Sequence, residues 1–445
     1  MRSAIRSKLV VLLLGCLFVS LIGLPLTIRG DGTLAGHVYI LLRYSLGLAT
    51  LILSLATLWA SCAAVASDIR DRQIQMVVSK PVRPMQLWLG KWLGLVLLNG
   101  ALLFVCFTAS YAAVRWITHP ERLTPVEQAQ VEEDILVAQR RVAPRERDVS
   151  AAVQAEYQAG RARGEWPAEV ATRDILPVLE RRVRAQANAV HPGDANRWVF
   201  DVPRLPDSGQ PLRLRYRANS SGLDLTPVRA VWRVGAPDRV DRQETSVEIV
   251  PRTWHTLTIP SDLLGPDRTL TIELASAPGT RATLLFDPSE DLRLMIEQGH
   301  FLTNYLRAAL LILFHLAFLA AIGLTCGTLF SIPVATLVGM YVLLLLNVGR
   351  FIGQLAAWEV HVAQTPDAGW FMWAVAHVTR AIYWGLNLIL QPVIAENPLA
   401  FVAAGEWLGW GTVGATLGVK VGVYVTVIMG LGAWHLSRKE VALPS

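Results

Sequence analysis

Long apolar runs separated by short polar segments occupy both ends of this chain. The runs cover approximately residues 9–28, 38–66, 92–117, 302–329, 334–355 and 409–434. Each is long enough to cross a bilayer, because a membrane-spanning helix needs about 20 consecutive apolar residues. The pattern therefore predicts six transmembrane helices, three on each side of a long polar region.

The polar region changes its periodicity near residue 190. Between residues 119 and 190, apolar residues recur at helical spacing, which predicts two or three amphipathic helices. Between residues 191 and 299, apolar and polar residues alternate, from Trp198, Phe200 and Val202 at the start to Leu284 and Phe286 at the end. Such alternation, interrupted by Pro, Gly and Asp turns, predicts an antiparallel β-sandwich of about seven or eight strands.

These patterns divide the chain into four segments. The first segment, 1–118, contains transmembrane helices 1–3 and a cytoplasmic segment at 67–91. The second, 119–190, contains the extracytoplasmic helices, and the third, 191–299, is the β-sandwich. The fourth, 300–445, contains transmembrane helices 4–6 and an outer segment at 370–400. The predicted fold class is an α-helical polytopic membrane protein with six transmembrane helices, outer re-entrant helices and an inserted extracytoplasmic α+β domain. In that domain, helices precede a β-sandwich or jelly roll.

One further apolar run, at residues 371–394, either crosses the membrane or re-enters it from the outer side. His377 and Arg380 lie in its middle, and a central charged arginine costs about 2.5–3.5 kcal/mol on insertion scales. A crossing here would also place the basic residues that follow the last run outside, against the positive-inside tendency. We therefore predict re-entrant or interfacial helices at 370–400, with a crossing as the alternative.

Composition agrees with a membrane protein. The 445 residues are 53% hydrophobic and 17% charged, with a mean hydropathy of +0.39, whereas soluble domains average about 25% charged residues. The formal charge of +6 arises largely at the flanks of apolar runs, so it predicts membrane orientation and no nucleic-acid partner. All four cysteines lie in predicted spans, which excludes a disulfide-stapled outer domain.

A short charged segment, residues 67–91, separates the second and third spans. Its basic and acidic residues are Arg70, Arg72, Lys80, Arg83 and Lys91 against Asp68 and Asp71. A short loop with this excess is expected on the cytoplasmic side, which places residues 119–299 outside and both termini inside. Within it, residues 69–78 can form an amphipathic helix that ends before Pro81 and Pro84. The alternative is a plain loop held to anionic lipid by its basic residues.

This charged segment resembles the coupling helix of ABC-2 type transporter permeases, which have a type V exporter-like transmembrane domain. The matching residues are Asp71 and Arg72 at the helix start, Lys80 and Pro81 in the middle, and Gly90 and Lys91 at the return to the membrane. Arg83 lies one place earlier than the arginine that the family often carries after Lys-Pro-Val. The six spans and short outer helices before the last one extend the resemblance over about 260 residues.

The resemblance implies an inner-membrane permease that works with other subunits. An ABC ATPase subunit would dock on Asp71, Arg72, Lys80, Pro81, Arg83, Gly90 and Lys91. The permease would form a homodimer, or a heterodimer with a second permease, in the lipid bilayer. Export is favoured over import because the family mostly exports.

No catalytic motif accompanies these features. The sequence has no Gly-x-x-x-x-Gly-Lys-Ser/Thr loop, so ATP would be bound by the partner subunit and not by this chain. The residues Glu359, His361, His377, Glu396 and Glu406 match no metal-ligand spacing. We therefore predict no catalytic, cofactor-binding or metal residues. We expect His315 to be a packed, hydrogen-bonded histidine, with a proton relay as the alternative.

The large polar region supports a second hypothesis. The chain would then be a membrane-anchored envelope scaffold or sensor whose outer domain recruits a protein, lipid or glycan. A β-sandwich of this type resembles carbohydrate-binding jelly rolls, although a shared fold is weak grounds for assigning a ligand.

Overall fold

A computed structural model describes most of the chain. The described residues are 15–17, 19–23, 34–70, 84–131, 136–165, 172–203, 211–220, 226–235, 242–265, 267–277, 282–362, 377–378, 381 and 397–438. They form two compact units, one from Met1–Ala138 and Gly299–Ser445 and one from Gln139–Gln298. We call the first the membrane unit and the second the polar unit.

The membrane unit is built from long apolar helices. In chain order these are α1 (Leu34–Ile40), a π-helical turn at Leu41–Ser45, α2 (Leu46–Arg70), α3 (Pro84–Ile117), the short α4 (Pro125–Gln130), then α7 (Phe301–Leu329), α8 (Ile332–Val362), the short α9 (Pro398–Ala403), α10 (Trp410–Thr416), a π-helical segment at Leu417–Val425, and α11 (Thr426–Arg438). The helices α5 and α6 belong to the polar unit.

Four segments are long and apolar enough to cross a membrane. They are Gly36–Asp68, Met85–Ile117, Phe301–Leu329 and Trp410–His435, and they correspond to predicted spans two, three, four and six. Span five corresponds to the shorter apolar stretch Ile332–Asn347 at the start of α8. Most of span one and of the 371–394 run lies outside the described residues. The coarser prediction, a polytopic membrane protein with a β domain, is confirmed.

The outer surface of the membrane unit is apolar. Exposed large side chains include Leu97 and Phe104 on α3, Leu337 on α8 and Val423 in the π-helical segment. Contiguous apolar surface of this kind is unfavourable in water and favourable against lipid tails. These helices therefore face hydrocarbon with one side and each other with the opposite side.

Helix α7 is the central helix of this unit, since most of its residues are buried. It approaches α2 closely through Gly323 and Gly327, which form a Gly-x-x-x-Gly pair. A Cβ atom built on Gly327 would lie 2.5 Å from the carbonyl oxygen of Cys62 on α2. Glycine is required here because the two backbones are in contact, as in other small-residue interfaces between membrane helices.

The polar unit is a β-sandwich with two helices. The first four-stranded sheet has the strand order β1 (Val137–Val142), β11 (Leu292–His300), β4 (Leu212–Tyr216) and β8 (His255–Ile259). The second four-stranded sheet has the strand order β3 (Ala195–Asp201), β9 (Thr269–Ser276), β6 (Val228–Val234) and β7 (Gln243–Ile249). A small sheet joins β2 (Ala189–Val190), β10 (Leu284–Leu285) and β5 (Asn219–Ser220). Neighbouring strands β3 and β9, and β6 and β7, pair antiparallel.

One hydrophobic core joins both large sheets. Phe200 and Trp232 from the second sheet are buried together with Leu214 and Tyr216 from the first. The rings of Tyr216 and Trp232 meet edge to face, with centroids 5.0 Å apart. The predicted sandwich is confirmed in the alternating burial of β4 and β6, where every second residue faces this core.

Three strands differ from the sequence prediction, and one of them is the two-residue β2, which lies in the segment predicted as helical. β1 lies where the pattern predicts helix, and β11 extends the sandwich beyond the last predicted strand at Phe286. The Ala-, Gln- and Arg-containing β1 has helix-favouring residues, but intrinsic propensity is weak compared with pairing against a neighbouring strand. The helices α5 (Ser150–Ala162) and α6 (Thr172–Ala187) confirm the rest of the helical prediction and pack through Tyr157 and Leu179.

A buried carboxylate on the outer face of the second sheet binds three arginine side chains. Glu273 accepts hydrogen bonds from Arg197, Arg233 and Arg242 at 3.1–3.2 Å. Burial raises the pKa of this carboxyl, but the three guanidinium groups outweigh burial and bring the pKa below its usual 4.5.

We predict that Glu273→Gln lowers the stability of the polar unit by about 2 kcal/mol, the range for hydrogen bonds to charged groups. The pKa of the Glu273 carboxyl is lower in the folded protein than in the unfolded chain. Its contribution to the free energy of unfolding is therefore present above pH 4.5 and is lost as pH falls through the folded pKa. Denaturant unfolding of wild type and variant between pH 7 and pH 3 checks both points. A constant difference across that range would contradict them.

Candidate functional site

The structure describes two of the seven predicted docking residues. Asp71, Arg72, Lys80, Pro81 and Arg83 lie outside the described residues. Gly90 and Lys91 lie in the first turns of α3, which begins at Pro84. Proline suits this first helical position because its missing N–H would have no partner there. A side chain at Gly90 would meet nothing within 4 Å, so packing within the chain does not require glycine at this position.

The ammonium group of Lys91 is held within the chain. Its Nζ lies 2.7 Å from the carbonyl oxygen of Ala64 and 2.5 Å from Oδ2 of Asp68. Both partners belong to the last turns of α2, where a cation is also favoured by the helix dipole. Lys91 therefore joins the end of α2 to the start of α3, on either side of the charged segment.

We predict that Lys91→Met and Asp68→Asn each lower stability by about 1 kcal/mol, near the upper end for partly exposed ion pairs. The double variant should lose less than the sum, because each single change already breaks the same contact. Thermal unfolding in detergent of the wild type, the two single variants and the double variant gives the interaction energy between Lys91 and Asp68. Additive losses would mean that the pair contributes nothing to stability.

The start of α3 is also fixed to α7 and α11. Trp92 donates its indole N–H to the carbonyl oxygen of Ala317 on α7 at 2.8 Å. Trp88 is buried, and a Cβ atom on Gly432 of α11 would lie 3.0 Å from its Nε1. A displacement of this end of α3 would therefore move α7 and α11 with it.

A cavity of about 320 Å³ lies inside the membrane unit, and we call it the central cavity. Residues of α2, α7, α8, α9, α10 and the Leu417–Val425 segment line it. Its polar lining residues are Thr50, Ser54, His315, Asn347, Asn397, Thr412, Thr416 and Lys420. None of its described lining residues is Asp or Glu.

Three polar groups of the cavity lie near the middle of the candidate spans. His315 is the central residue of the 29-residue helix α7, and Thr50 lies near the middle of the 33-residue segment Gly36–Asp68. Lys420 lies about 15 Å along the helix from Trp410, at 1.5 Å per residue, within a segment of 26 residues. His315, Thr50 and Lys420 therefore lie near the centres of their candidate spans.

Lys420 is the charged residue of this cavity. It is 4% exposed and lies in the Leu417–Val425 segment, whose π-helical geometry often occurs at functional sites. Thr412, Thr416 and Lys420 follow each other at four-residue spacing, so they share one helix face. Within the described part of the chain, Lys420 Nζ has neither a hydrogen bond nor an ion pair.

His315 differs from its sequence prediction. Its Nδ1 is buried and has no hydrogen-bond partner among the described residues. The prediction that His315 is hydrogen-bonded is therefore wrong for Nδ1. The side chain lines the cavity together with Lys420.

Arg307, another charged residue of α7, has partners on the loop before α10, although its buried Nε has no hydrogen-bond partner among the described residues. It donates to the carbonyl oxygen of Leu408 at 2.8 Å and lies over the rings of Trp407 and Trp410, at 5.7 and 4.9 Å from their centroids. Asn304, one turn before it, binds the same loop through Glu406 O and Leu408 N. These residues hold the loop before α10 against α7.

In the polar unit, aromatic and basic side chains cluster on the outer face of the first sheet. The guanidinium groups of Arg215, Arg217 and Arg293 lie 4.7–5.2 Å from the ring centroid of Trp254. Arg215 and Arg293 are direct cross-strand partners, which is unfavourable for like charges, and the ring between them offsets part of the repulsion. Asp291 binds Arg217 at 2.8 Å.

Side chains that could ligate a metal ion are not clustered in the described part of the chain. Among the described residues, no group of three or more His, Cys, Asp or Glu side chains is placed to hold a metal ion. Of the five residues considered from the sequence, Glu396 and the side chains of Glu359 and His361 lie outside what the structure describes.

Sequence reasoning missed Lys420. The signal was present, since an ionisable residue near the centre of an apolar span is a functional candidate, and Lys420 interrupts the run at 409–434. Thr412 and Thr416 gave no separate signal, because hydroxyl residues are common in membrane helices and their place beside the cavity depends on packing.

Comparison of the chain with protein-family models and with curated proteins finds no match.

Proposed function

We propose that this chain is the permease subunit of an ABC-2 type transporter, energised by a separate ATPase subunit and working as an exporter. The observation that carries the proposal is the central cavity, with polar groups from several helices at mid-membrane depth. A helix bundle that only anchors a domain gains nothing from such a cavity, because buried polar groups are unfavourable in hydrocarbon.

The second support is the charged segment between α2 and α3. Its sequence resembles a coupling helix, and its two ends are tied together by Lys91 and Asp68. An ATPase subunit that moved this segment would move the ends of α2 and α3 as one body. Through Trp92 and Ala317, that motion would reach α7, which carries His315 into the cavity wall.

In this mechanism the cavity opens alternately to the two sides of the membrane. Thr50 and Ser54 on α2 and His315 on α7 would move together in this motion, relative to the lining residue Asn347 on α8. The outer end of the cavity is lined by Leu399 and Leu408, from the segment that Arg307 and Asn304 hold against α7. The partner permease would be a second copy or a related chain.

The proposal is tested by co-purification. An affinity-tagged chain should retain a P-loop ATPase from its native membranes, and Arg72→Ala with Lys80→Ala should lose the ATPase while the chain still inserts. Gln75→Ala, in the same segment but uncharged, is the matched control. Equal ATPase recovery from the double variant and the control would contradict docking at the charged segment.

The second candidate function is an envelope scaffold or sensor, and the cluster of Arg215, Arg217 and Arg293 around Trp254 favours it. A half-exposed aromatic ring among cations is suited to an anionic or glycan partner. Deleting residues 139–298 with a short linker separates the two functions. A permease retains its ATPase after the deletion, whereas a scaffold loses its envelope partner.

A further inference from the structure

The central cavity contains a cation for which the described part of the chain supplies no counter-ion. Lys420 is 4% exposed, and the described lining residues include no carboxylate. Two other cations of the described membrane unit have partners within the chain. Lys91 binds Asp68, and Arg307 binds a carbonyl oxygen and two tryptophan rings. An ammonium group at this depth without a partner is strongly unfavourable, so an anion in the cavity would stabilise it.

Hydrogen-bond donors accompany Lys420. Thr416 lies one turn before it on the same face, and lysine side chains in helices lean toward the helix N-terminus. His315 Nδ1 has no partner among the described residues and donates in the appropriate tautomer. By contrast, Thr50 and Ser54 donate their hydroxyl protons to the carbonyl oxygens of Leu46 and Thr50. Among the described residues, neither Lys420 Nζ nor His315 Nδ1 is engaged in this way.

Apolar side chains form much of the rest of the cavity wall, beside the polar Asn347, Asn397 and Thr412. Leu311 and Ile312 on α7, Leu346 on α8 and Phe401 on α9 line it. A small inorganic anion would leave these side chains without contacts, whereas an organic anion would cover them. The volume of about 320 Å³ holds an anionic group and the adjoining part of an apolar body, and it is too small for a whole membrane lipid.

We propose that the central cavity binds the carboxylate or phosphate group of an amphipathic molecule, with Lys420 as its counter-ion and Thr416 and His315 as hydrogen-bond donors. The assignment of this molecule as the transported substrate rests on the proposed permease function. Binding itself does not, because Lys420, Thr416 and His315 all belong to this chain.

The test uses the full chain in an uncharged detergent, without ATP or an ATPase. Binding of radiolabelled dodecyl phosphate is measured on rapid spin columns, with detergent micelles alone as background. We expect saturable binding to wild type, a loss of affinity of about tenfold or more in Lys420→Met, and retention in Lys420→Arg, as for a charge-assisted contact. Val423→Met, on the lipid-facing side of the same segment, should bind as wild type does.

Competition on wild type keeps the test decisive if Lys420→Met does not fold. Dodecanoate should displace the label, and dodecyltrimethylammonium, with the same chain length and opposite charge, should not. Equal displacement by both, or equal binding to wild type and Lys420→Met, would overturn the proposal. Displacement by inorganic phosphate at the same concentrations would mean that the occupant is a free anion, which overturns the amphipathic assignment.

The two proposals fail in different ways. Absence of dodecyl phosphate binding to wild type would remove the anion site and leave the permease to the co-purification test. Saturable, Lys420-dependent binding in a chain that retains no ATPase would keep the anion site and remove ATP-driven transport.

Discussion

Gly327→Leu should prevent the membrane unit from folding. Even the first side-chain atom would lie 2.5 Å from Cys62 O and 3.3 Å from Cys62 C on α2, and these are backbone atoms that cannot rotate away. Overpacking by a single methyl group costs about 1–3 kcal/mol, so Gly327→Ala is the milder form of the same change. Leucine would force α2 and α7 apart and open the wall of the central cavity.

The measurement is the yield of monodisperse protein after detergent extraction, followed by the unfolding midpoint. Gly94 on α3 is the matched control, because a Cβ atom there would meet nothing within 4 Å. Gly94→Ala should leave both quantities unchanged, and Gly327→Ala should lower the midpoint. Equal midpoints for the two alanine variants would show that the backbones of α2 and α7 are not in contact.

Trp232→Ala should destabilise the polar unit by about 3–5 kcal/mol, the range for removing a large aromatic side chain from a core. Trp232 is 0% exposed, and its ring contacts Tyr216 and Trp198, with centroids 5.0 and 6.2 Å away. No neighbouring side chain can fill the space, because both sheets are fixed by strand pairing. A loss of this size is a large part of the 5–15 kcal/mol by which a domain is usually stable.

Limited proteolysis of the full chain checks this expectation, since cleavage within residues 139–298 reports opening of the polar unit. Trp254→Ala is the matched control, because Trp254 lies outside the hydrophobic core cluster and its loss leaves the sandwich filled. We expect cleavage at least about 100-fold faster for Trp232→Ala, from 3 kcal/mol or more. Similar rates for the two variants would mean that the core does not depend on Trp232.

The sandwich could be predicted because its signal is local. Alternation in Leu212, Leu214 and Tyr216, and again in Val228, Ala230 and Trp232, is visible in the sequence and becomes the buried face of β4 and β6. β1 could not be predicted in this way. Its six residues carry no clear alternation, and only the neighbouring β11, about 150 residues later in the chain, makes it a strand.

The site residues divide according to whether their role depends on a distant partner. The charge of the segment 67–91 could be read from the sequence, and its docking role stays a prediction. Lys91 was assigned to a partner subunit, yet its ammonium group lies beside Asp68 and Ala64, a contact that depends on how α2 and α3 pack. Lys420 was visible as a charge in an apolar run, but its position beside His315 required the packed helices.

Docking of an ATPase requires the charged segment to face the compartment that holds ATP. Single cysteines at Gln75 and at Thr256, an exposed residue of β8, can be introduced after the four native cysteines are replaced. In cells with a sealed cytoplasmic membrane, a membrane-impermeant maleimide should label Thr256→Cys at once and Gln75→Cys only after permeabilisation. Labelling of Gln75→Cys before permeabilisation would place the segment outside and contradict ATPase docking there.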